Sequence, residues 1–382
     1  MKDYLIKGGQ VVFSDGIRVC NILVRDGKIA DTDYKGKVDL PTIDAEGRYV
    51  TPGFVEIHTH GCGGYDFGDL TEEAFLHSAE CYKSHGTTTV MPTTVSCSDE
   101  DLEKLFDLFR KVANMAVIHF AGLHLEGPYL SMDMKGAQNP RYIRTPEKDF
   151  IKKITDNADV VKMITAAPEI EGVELLAREA TKAGIVLSIG HSAATAEQTK
   201  NAEEIGFSHV THMYCGTTTN RKIGQTVYSG IVEAAYLSDS MYVELIGDGK
   251  HIAKETMQLA LKIKGADKIN LTSDSMRAAG TDLTESYLGA ISPDNRVIIE
   301  DGVAKLPDRS SYAGSIATSD MILRKMVQNY ELSLVDTVKM LSLTPARIVG
   351  LDKTKGSIEI GKDADIVILS KDLEIEKVFT AK

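Results

Sequence analysis

Residues 52–67 read PGFVEIHTHGCGGYDF, an apolar run that ends in His58 and His60, one residue apart, with Gly61, Gly63 and Gly64 close behind. A strand alternates its side chains with period two, so both imidazoles leave the same face. The glycines then release the chain into a tight turn, where backbone can approach a ligand closely. Two readings are open at this point: a buried strand that carries two hydrogen-bonded histidines, or the end of a strand that forms half of a site.

Outward from this stretch, apolar strand-length runs recur at 54–60, 87–94, 117–126, 160–167, 185–191, 208–214, 241–247 and 269–274. Helical patterns lie between them. Ser98 is placed to cap DEDLEKLFDLFRKV, in which Leu102, Leu105, Phe106 and Phe109 share a face. EGVELLAREATKAG stops at Lys182 and Gly184, and Thr195 opens AEQTKNAEEIG. Eight strands with helical crossovers predict an α/β fold of the (β/α)8 TIM-barrel type. No repeat is visible in the sequence, and RVIIEDGVAKL beyond the eighth run reads as a hairpin on Asp301-Gly302. The two ends differ from the middle. YLIKGGQVVFSDG and CNILVRDGKIAD carry Gly-Gly, Asp-Gly and Asp-Gly as turn signals, and GSIEIGKDADIVILSK near the end alternates in the same way. The expectation is a small β-sandwich-like domain built from 1–51 plus 352–382, with the barrel over 52–351.

Composition narrows the partners. The 382 residues are 43% apolar with a formal charge of −12, and no basic stripe offsets that charge, which argues against a nucleic-acid partner. No run approaches the roughly 18 apolar residues of a membrane helix, and the opening MKDYLIKGGQ has no apolar core of a secretion signal. The five cysteines (Cys20, Cys62, Cys81, Cys97, Cys215) are odd in number and lack C-x-x-C spacing, which reads as reduced thiols and a cytoplasmic location.

A barrel of this type carries its chemistry at the C-terminal ends of its strands. His58 and His60 end the first run, Glu126 the third, His191 the fifth and His212 the sixth, while His251 follows the seventh and Asp274 ends the eighth. Five of the ten histidines thus stand at one rim with two carboxylates. Imidazoles and carboxylates suit a divalent cation with an open position for water. Glu126 is placed to bridge two ions, and Asp274 to serve as the base that orients the water and then protonates the leaving amine. The pattern points to metal-assisted hydrolysis, in which an ion brings the pKa of its water to about 7. His77 and His85 fall on or after a helix and read as solvated or packing residues. His119, His124 and His209 lie inside strands and read as core hydrogen-bonding groups.

With these residues placed, the chain resembles the amidohydrolase superfamily, and within it the N-acetylglucosamine-6-phosphate deacetylases. The resemblance runs nearly end to end and rests on PGFVEIHTHG, GLHLEGPYL with KGAQNP, GHSAAT, THMY, DGKHI, LTSDSMRAAG, YAGSIAT, LTPARIVGL and KGSIEIGKDADIVIL. It implies Glu126, His191 and His212 as ligands of a main metal ion and His58 and His60 as ligands of a second. It implies Asp274 as the catalytic aspartate and His251 as a contact to the sugar. Ala137 and Ala313, Gly314 and Ser315 match positions lining the substrate pocket. In such enzymes an arginine from the partner subunit holds the phosphate, and Arg221 is the nearest candidate; a homodimer is implied for that reason. The implied cofactor is one or two divalent ions, zinc or iron, with manganese or cobalt also suited. The implied reaction is hydrolysis of the acetamide of N-acetylglucosamine 6-phosphate to glucosamine 6-phosphate and acetate, by metal-bound hydroxide.

Three departures bear on the sugar and phosphate. After His212 such enzymes usually read Leu-Tyr-Asn-Ala-Met, whereas this chain reads MYCGTTTNRKIG, which puts Cys215 and Gly216 at the pocket. Gln138 stands where many members have a histidine near the acetyl carbonyl. Met276 and Arg277 stand beside Asp274, and Arg277 is either a second anion clamp or a loop salt bridge. Two rivals follow. One is an amidohydrolase acting on another amide, such as a cyclic-amide hydrolase or a deaminase; some of these use a carbamylated lysine on the fourth strand, where Lys162 lies too deep. The other is a non-catalytic barrel assembly protein, whose signature, loss of the ligands, is not seen.

Overall fold

The computed structural model describes residues 2–382. Its centre is a barrel of eight parallel strands, Phe54–Thr59, Thr87–Thr94, Leu123–Glu126, Val161–Ala166, Val186–Ile189, Phe207–Val210, Tyr242–Ile246 and Ile269–Thr272. Each of the eight runs read from the sequence overlaps one of them, the sixth strand beginning at Phe207, one residue before its run. The third run is broken: His119–Phe120 pairs with the second strand, and the chain bends at Gly122 (φ +125°) before Leu123 begins the barrel strand proper. Only glycine takes that backbone conformation without strain.

Among the described residues no ladder joins the eighth strand to the first; side chains and loop backbone close the gap. Thr272 Oγ1 donates to Glu56 Oε1 (2.5 Å) and to the His58 carbonyl (2.9 Å), and Ser273 N donates to Glu56 Oε2 (3.0 Å). One level higher, the Ser275 carbonyl accepts from His60 N at 2.7 Å and Gly61 N at 3.2 Å. Glu56 is thus a buried carboxylate that ties strand one to the segment carrying Asp274.

The helices form where spacing and caps predicted them. Asp99–Val112 starts at Ser98, whose hydroxyl accepts from Asp101 N, and buries Leu102, Leu105, Phe106 and Phe109 against the barrel. Ala196–Glu204 starts with a Thr195/Gln198 capping box, and Val173–Lys182 ends just before Gly184 at φ +74°.

The two ends of the chain meet in one seven-stranded sheet. Tyr4–Phe13, Gly16–Arg25, Lys28–Asp31, Thr42–Asp44 and Tyr49–Pro52 are joined by Ile366–Leu369 and Ile375–Phe379, the link being the antiparallel pair of Tyr49–Pro52 with Ile366–Leu369. The sheet buries a core of its own around Ile6, Val11, Ile22, Val50 and Ile366. Asp15-Gly16 and Asp26-Gly27 turn the chain as predicted, but Gly8-Gly9 does not. It forms a bulge inside a continuous strand, because the register slips there and a Cβ on Gly9 would come within 2.4 Å of Val50 Cγ2. The hairpin on Asp301-Gly302 joins Arg296–Glu300 to Val303–Lys305 and gains a third strand, Glu285–Tyr287.

The reading of five free thiols is corrected. Cys62, just past the first barrel strand, is disulfide-bonded to Cys81 on helix Glu72–Ser84, with Cα atoms 6.0 Å apart. Cysteine spacing does not reveal this pairing, because the short Gly61–Cys62/Tyr65–Asp66 hairpin is what lays Cys62 against the helix. Cys20, Cys97 and Cys215 are free.

Candidate metal centre and active site

His58 and His60 do leave one face of the first strand. Their Nε2 atoms converge on Glu126 and Asp274: His60 Nε2 lies 3.5 Å from Glu126 Oε2 and 3.1 Å from Asp274 Oδ1, and His58 Nε2 lies 3.6 Å from Glu126 Oε1. From the other side His191 Nε2 and His212 Nε2 lie 3.0 and 2.9 Å from Glu126 Oε1. The fold brings these residues together because each terminates a parallel strand. Three of them, His191 (φ +46°), His212 (+28°) and Asp274 (+46°), sit in the left-handed region, where the chain turns off the strand end. Strain of about 1–3 kcal/mol per residue is tolerated at such positions when the surroundings enforce the geometry.

The four imidazoles share one hydrogen-bonding plan. Each places Nδ1 on an acceptor: His58 on Glu244 Oε1 (2.7 Å), His60 on the Thr93 carbonyl (3.2 Å), His191 on the Met134 carbonyl (2.8 Å) and His212 on the Cys215 carbonyl (2.9 Å). A carbonyl or carboxylate oxygen accepts, so Nδ1 carries the proton and the Nε2 lone pair faces the cluster. His58 Nε2 is fully buried and has no hydrogen-bond partner. Two triads, His58/His60/Glu126 and Glu126/His191/His212, each keep their ligand atoms within 4.8 Å of one another. An orphaned imidazole nitrogen and two such triads fit divalent cations. Burial alone would raise the Glu126 carboxyl, but the surrounding imidazoles, His58 foremost, hold it well below the carboxylate range.

Gln138 completes the Glu126 side. Its Oε1 accepts from Ser96 N (2.8 Å), which turns its Nε2 toward Glu126 Oε2, also at 2.8 Å. Above the cluster opens a cavity of about 370 Å³. Of the residues predicted to meet substrate, Ala137, Gln138, Cys215, Gly216, His251 and Gly314 line it. His251 places Nδ1 on Asp248 Oδ2 (2.7 Å), which leaves Nε2 for the cavity, and Tyr312 packs edge-on against its ring. Burial pushes the Cys215 thiol up to about 12, and the Cys215 carbonyl holds His212.

Four predicted substrate contacts are placed elsewhere. Arg277, itself buried, forms a bidentate pair with the half-buried Asp69 (2.6 and 2.7 Å) and also bonds the Gly289 carbonyl, so it is the loop salt bridge and not a clamp at this cavity. Arg221 bonds the Ala193 carbonyl (2.5 Å) on the hairpin Arg221–Ile223/Thr226–Tyr228, outside the cavity of its own chain. Ala313 packs in an apolar cluster with Met276 and Val297. Ser315 supports Asp274 from behind: its N donates to the Asp274 carbonyl (2.8 Å) and its hydroxyl to the Ser273 carbonyl (2.6 Å).

Of the histidines read as bystanders, His124, His209, His85 and His77 have structural partners, whereas His119 is only half-buried and not the core hydrogen-bonding group expected. His124 bonds Ile57 O and Thr165, His209 bonds Ser188, and burial pushes them down to about 3 and about 4. His85 bonds Asp320 and His77 stacks on Tyr65. Lys162 donates to the Ala158 carbonyl (2.7 Å) at the far end of its strand, which removes the carbamylated-lysine bridge from consideration. Tyr312, Leu288 and Glu244 escaped the sequence reading. Tyr312 and Leu288 stand on loops after the eighth strand, and Glu244 stands mid-strand, three residues short of the rim glycine Gly247.

A model of the amidohydrolase family matches residues 49–381. This chain belongs to the amidohydrolase family. It is 32% identical over 343 residues, 88% of its length and 86% of the relative's, to an N-acetylglucosamine-6-phosphate deacetylase of Haemophilus influenzae. The solved deacetylase of that name from Pasteurella multocida superposes with a TM-score of 0.92 at 28% identity, covering 99% of this chain and 98% of the other. A Mycobacterium smegmatis variant enzyme in complex with N-acetyl-D-glucosamine-6-phosphate superposes at 0.91 with 27% identity, covering 100% and 98%. The metal-suited triads of this amidohydrolase lie within the matched region. Among the described residues no helix is long and apolar enough to cross a membrane.

Proposed function

We propose that this amidohydrolase hydrolyses the acetamide of N-acetylglucosamine 6-phosphate, releasing acetate and glucosamine 6-phosphate. The observation that carries the reading is the convergence of four Nε2 atoms, Glu126 and Asp274 at the floor of one cavity, in a chain whose relatives over nearly their whole length carry that activity by name. His58 and His60 would hold one ion, His191 and His212 the other, with Glu126 between; zinc or iron suits the donors, as do manganese and cobalt. Divalent ions held there would supply polarisation of the acetamide carbonyl and a lowered pKa for water.

The chain's own groups do the rest. Asp274 Oδ1, 3.1 Å from His60 Nε2, stands at the edge of the cluster, takes a proton from the attacking water and returns it to the departing amine nitrogen. Gln138 holds Glu126 in place through the amide that Ser96 N orients. His251 offers Nε2 to a sugar hydroxyl, its tautomer set by Asp248. Cys215 and Gly216 form the wall on the phosphate side, and Arg221 of a second subunit takes the phosphate. What supports a homodimer is the hairpin that carries Arg221, which exposes Ile223, Val227 and Tyr228. The test is acetate release from the phosphorylated sugar against the unphosphorylated one, with metal content measured on the same sample. Strong preference for the phosphate is the expected result; a metal-loaded protein that ignores both sugars overturns the substrate.

A further inference from the structure

Glu244 lies in the seventh barrel strand, fully buried, where no surface or substrate explains a carboxylate. A charge in such a place is costly unless it is hydrogen-bonded and paired. Here three of its four lone pairs are used: Oε1 accepts from His58 Nδ1 (2.7 Å) and from His212 N (3.1 Å), and Oε2 accepts from Asn270 Nδ2 (3.0 Å). The carboxylate can only accept, so it fixes the proton of His58 on Nδ1 and turns the unpartnered Nε2 into the cluster.

His58 differs from its three neighbours in this respect. His60, His191 and His212 are oriented by main-chain carbonyls, which no substitution removes. His58 alone is oriented by a side chain. The same Glu244 oxygen also bonds the backbone of His212, whose φ of +28° needs external support, so one carboxylate touches a ligand from each half of the centre.

We propose that Glu244 is the positioning residue of the His58/His60 half-site: without it His58 no longer presents Nε2, and the second ion is lost while the Glu126/His191/His212 half keeps its own. The inference rests on the two-ion reading above. It adds that occupancy of the second position is set by a residue that touches neither substrate nor ion. Outer partners of this kind change metal affinity about 10- to 100-fold.

The test is ions per chain after reconstitution of the apoprotein with Zn²⁺, with the affinity of each step from competitive titration, for the wild-type protein, Glu244→Leu and Glu244→Gln. The wild-type chain is expected to bind two ions and Glu244→Leu one; because Glu244 also holds the His212 backbone, the remaining step is expected to weaken as well, but by less than the lost one. Glu244→Gln keeps an acceptor for His58 and loses the charge; it is expected to bind the second ion about 10- to 100-fold more weakly. If Glu244→Leu does not fold, as judged by circular dichroism, Glu244→Gln decides alone. Two ions bound at wild-type affinity in either folded variant, or a single ion in the wild-type protein, overturns the proposal. A wild-type protein that binds two ions but releases no acetate overturns the substrate and leaves the role of Glu244 standing.

Discussion

Asp274 is held by its neighbours at a backbone conformation it would not choose. Its φ is +46°, its carbonyl accepts from Ser315 N, and the preceding amide donates to the buried Glu56. A Cβ on Gly314 would stand 2.9 Å from the Asp274 carbonyl oxygen, at a φ of +68°. Two substitutions separate the chemistry of the side chain from its placement. Asp274→Asn removes the proton acceptor and is expected to lower kcat by about 10²–10⁴-fold with the fold intact, read from steady-state acetate release. Gly314→Ala keeps the carboxylate but pushes its backbone aside, and a displacement on the scale of 1 Å costs about 10²-fold in rate. Wild-type turnover in Gly314→Ala would show that the close approach does not position Asp274.

At the scale of elements, loops after strands one and eight are locked to each other, and this lock consumes Arg277. The guanidinium joins Asp69, on the 3-10 turn Phe67–Asp69, to the segment after Asp274. Asp69 is half-buried, so water partly replaces the lost partner, and Arg277→Met is expected to cost about 1–3 kcal/mol in denaturant unfolding. A rise in KM for the phosphorylated sugar at unchanged stability would instead return Arg277 to the anion clamp. On helix Ser319–Arg324, Asp320 accepts from His85 Nδ1 and Thr318, and Arg324 Nη2 donates to it. Burial would raise its carboxyl, yet these partners bring it down to about 2. A depressed folded-state pKa stabilises above the unfolded value near 3.9 and loses that contribution as pH falls through about 2, a term of about 2 kcal/mol. Acid unfolding of Asp320→Asn is therefore expected to show a flatter pH dependence between about pH 4 and pH 2 than the wild-type protein; identical slopes would assign the acid sensitivity elsewhere.

On the scale of the whole molecule, Arg221 reaches no part of its own chain's cavity, and its Nη1 is buried without a partner. If a second subunit supplies this arginine, Arg221→Ala raises KM for the phosphorylated sugar and leaves kcat and the unphosphorylated sugar nearly untouched. The same substitution without effect on KM, in a protein shown to be dimeric by sedimentation, would move the phosphate contact to another residue.

The strands, the long helices and the metal-suited cluster were legible in the chain because each depends on local rules. Period two places His58 and His60 together, a Ser or Thr three residues before a bonded amide starts a helix, and parallel strands of a barrel deliver their last residues to one rim. Those rules carry no information about which distant side chain answers a buried donor. His58 finds Glu244 at a separation of 186 residues and Arg277 finds Asp69 at 208, while Cys62 meets Cys81 across a hairpin and a helix. Gly8-Gly9 carries a turn signal that the sheet overrode, since Val50 leaves no room for a side chain at Gly9 and the bulge keeps the strand in register on both sides. The sequence by itself determined the barrel and the cluster of histidines and carboxylates at its rim, through periodicity and strand ends. Tertiary structure decided the partners of those residues, the duty of each arginine and the cysteine pairing, because a buried polar group takes whichever partner the closed fold brings within about 3 Å.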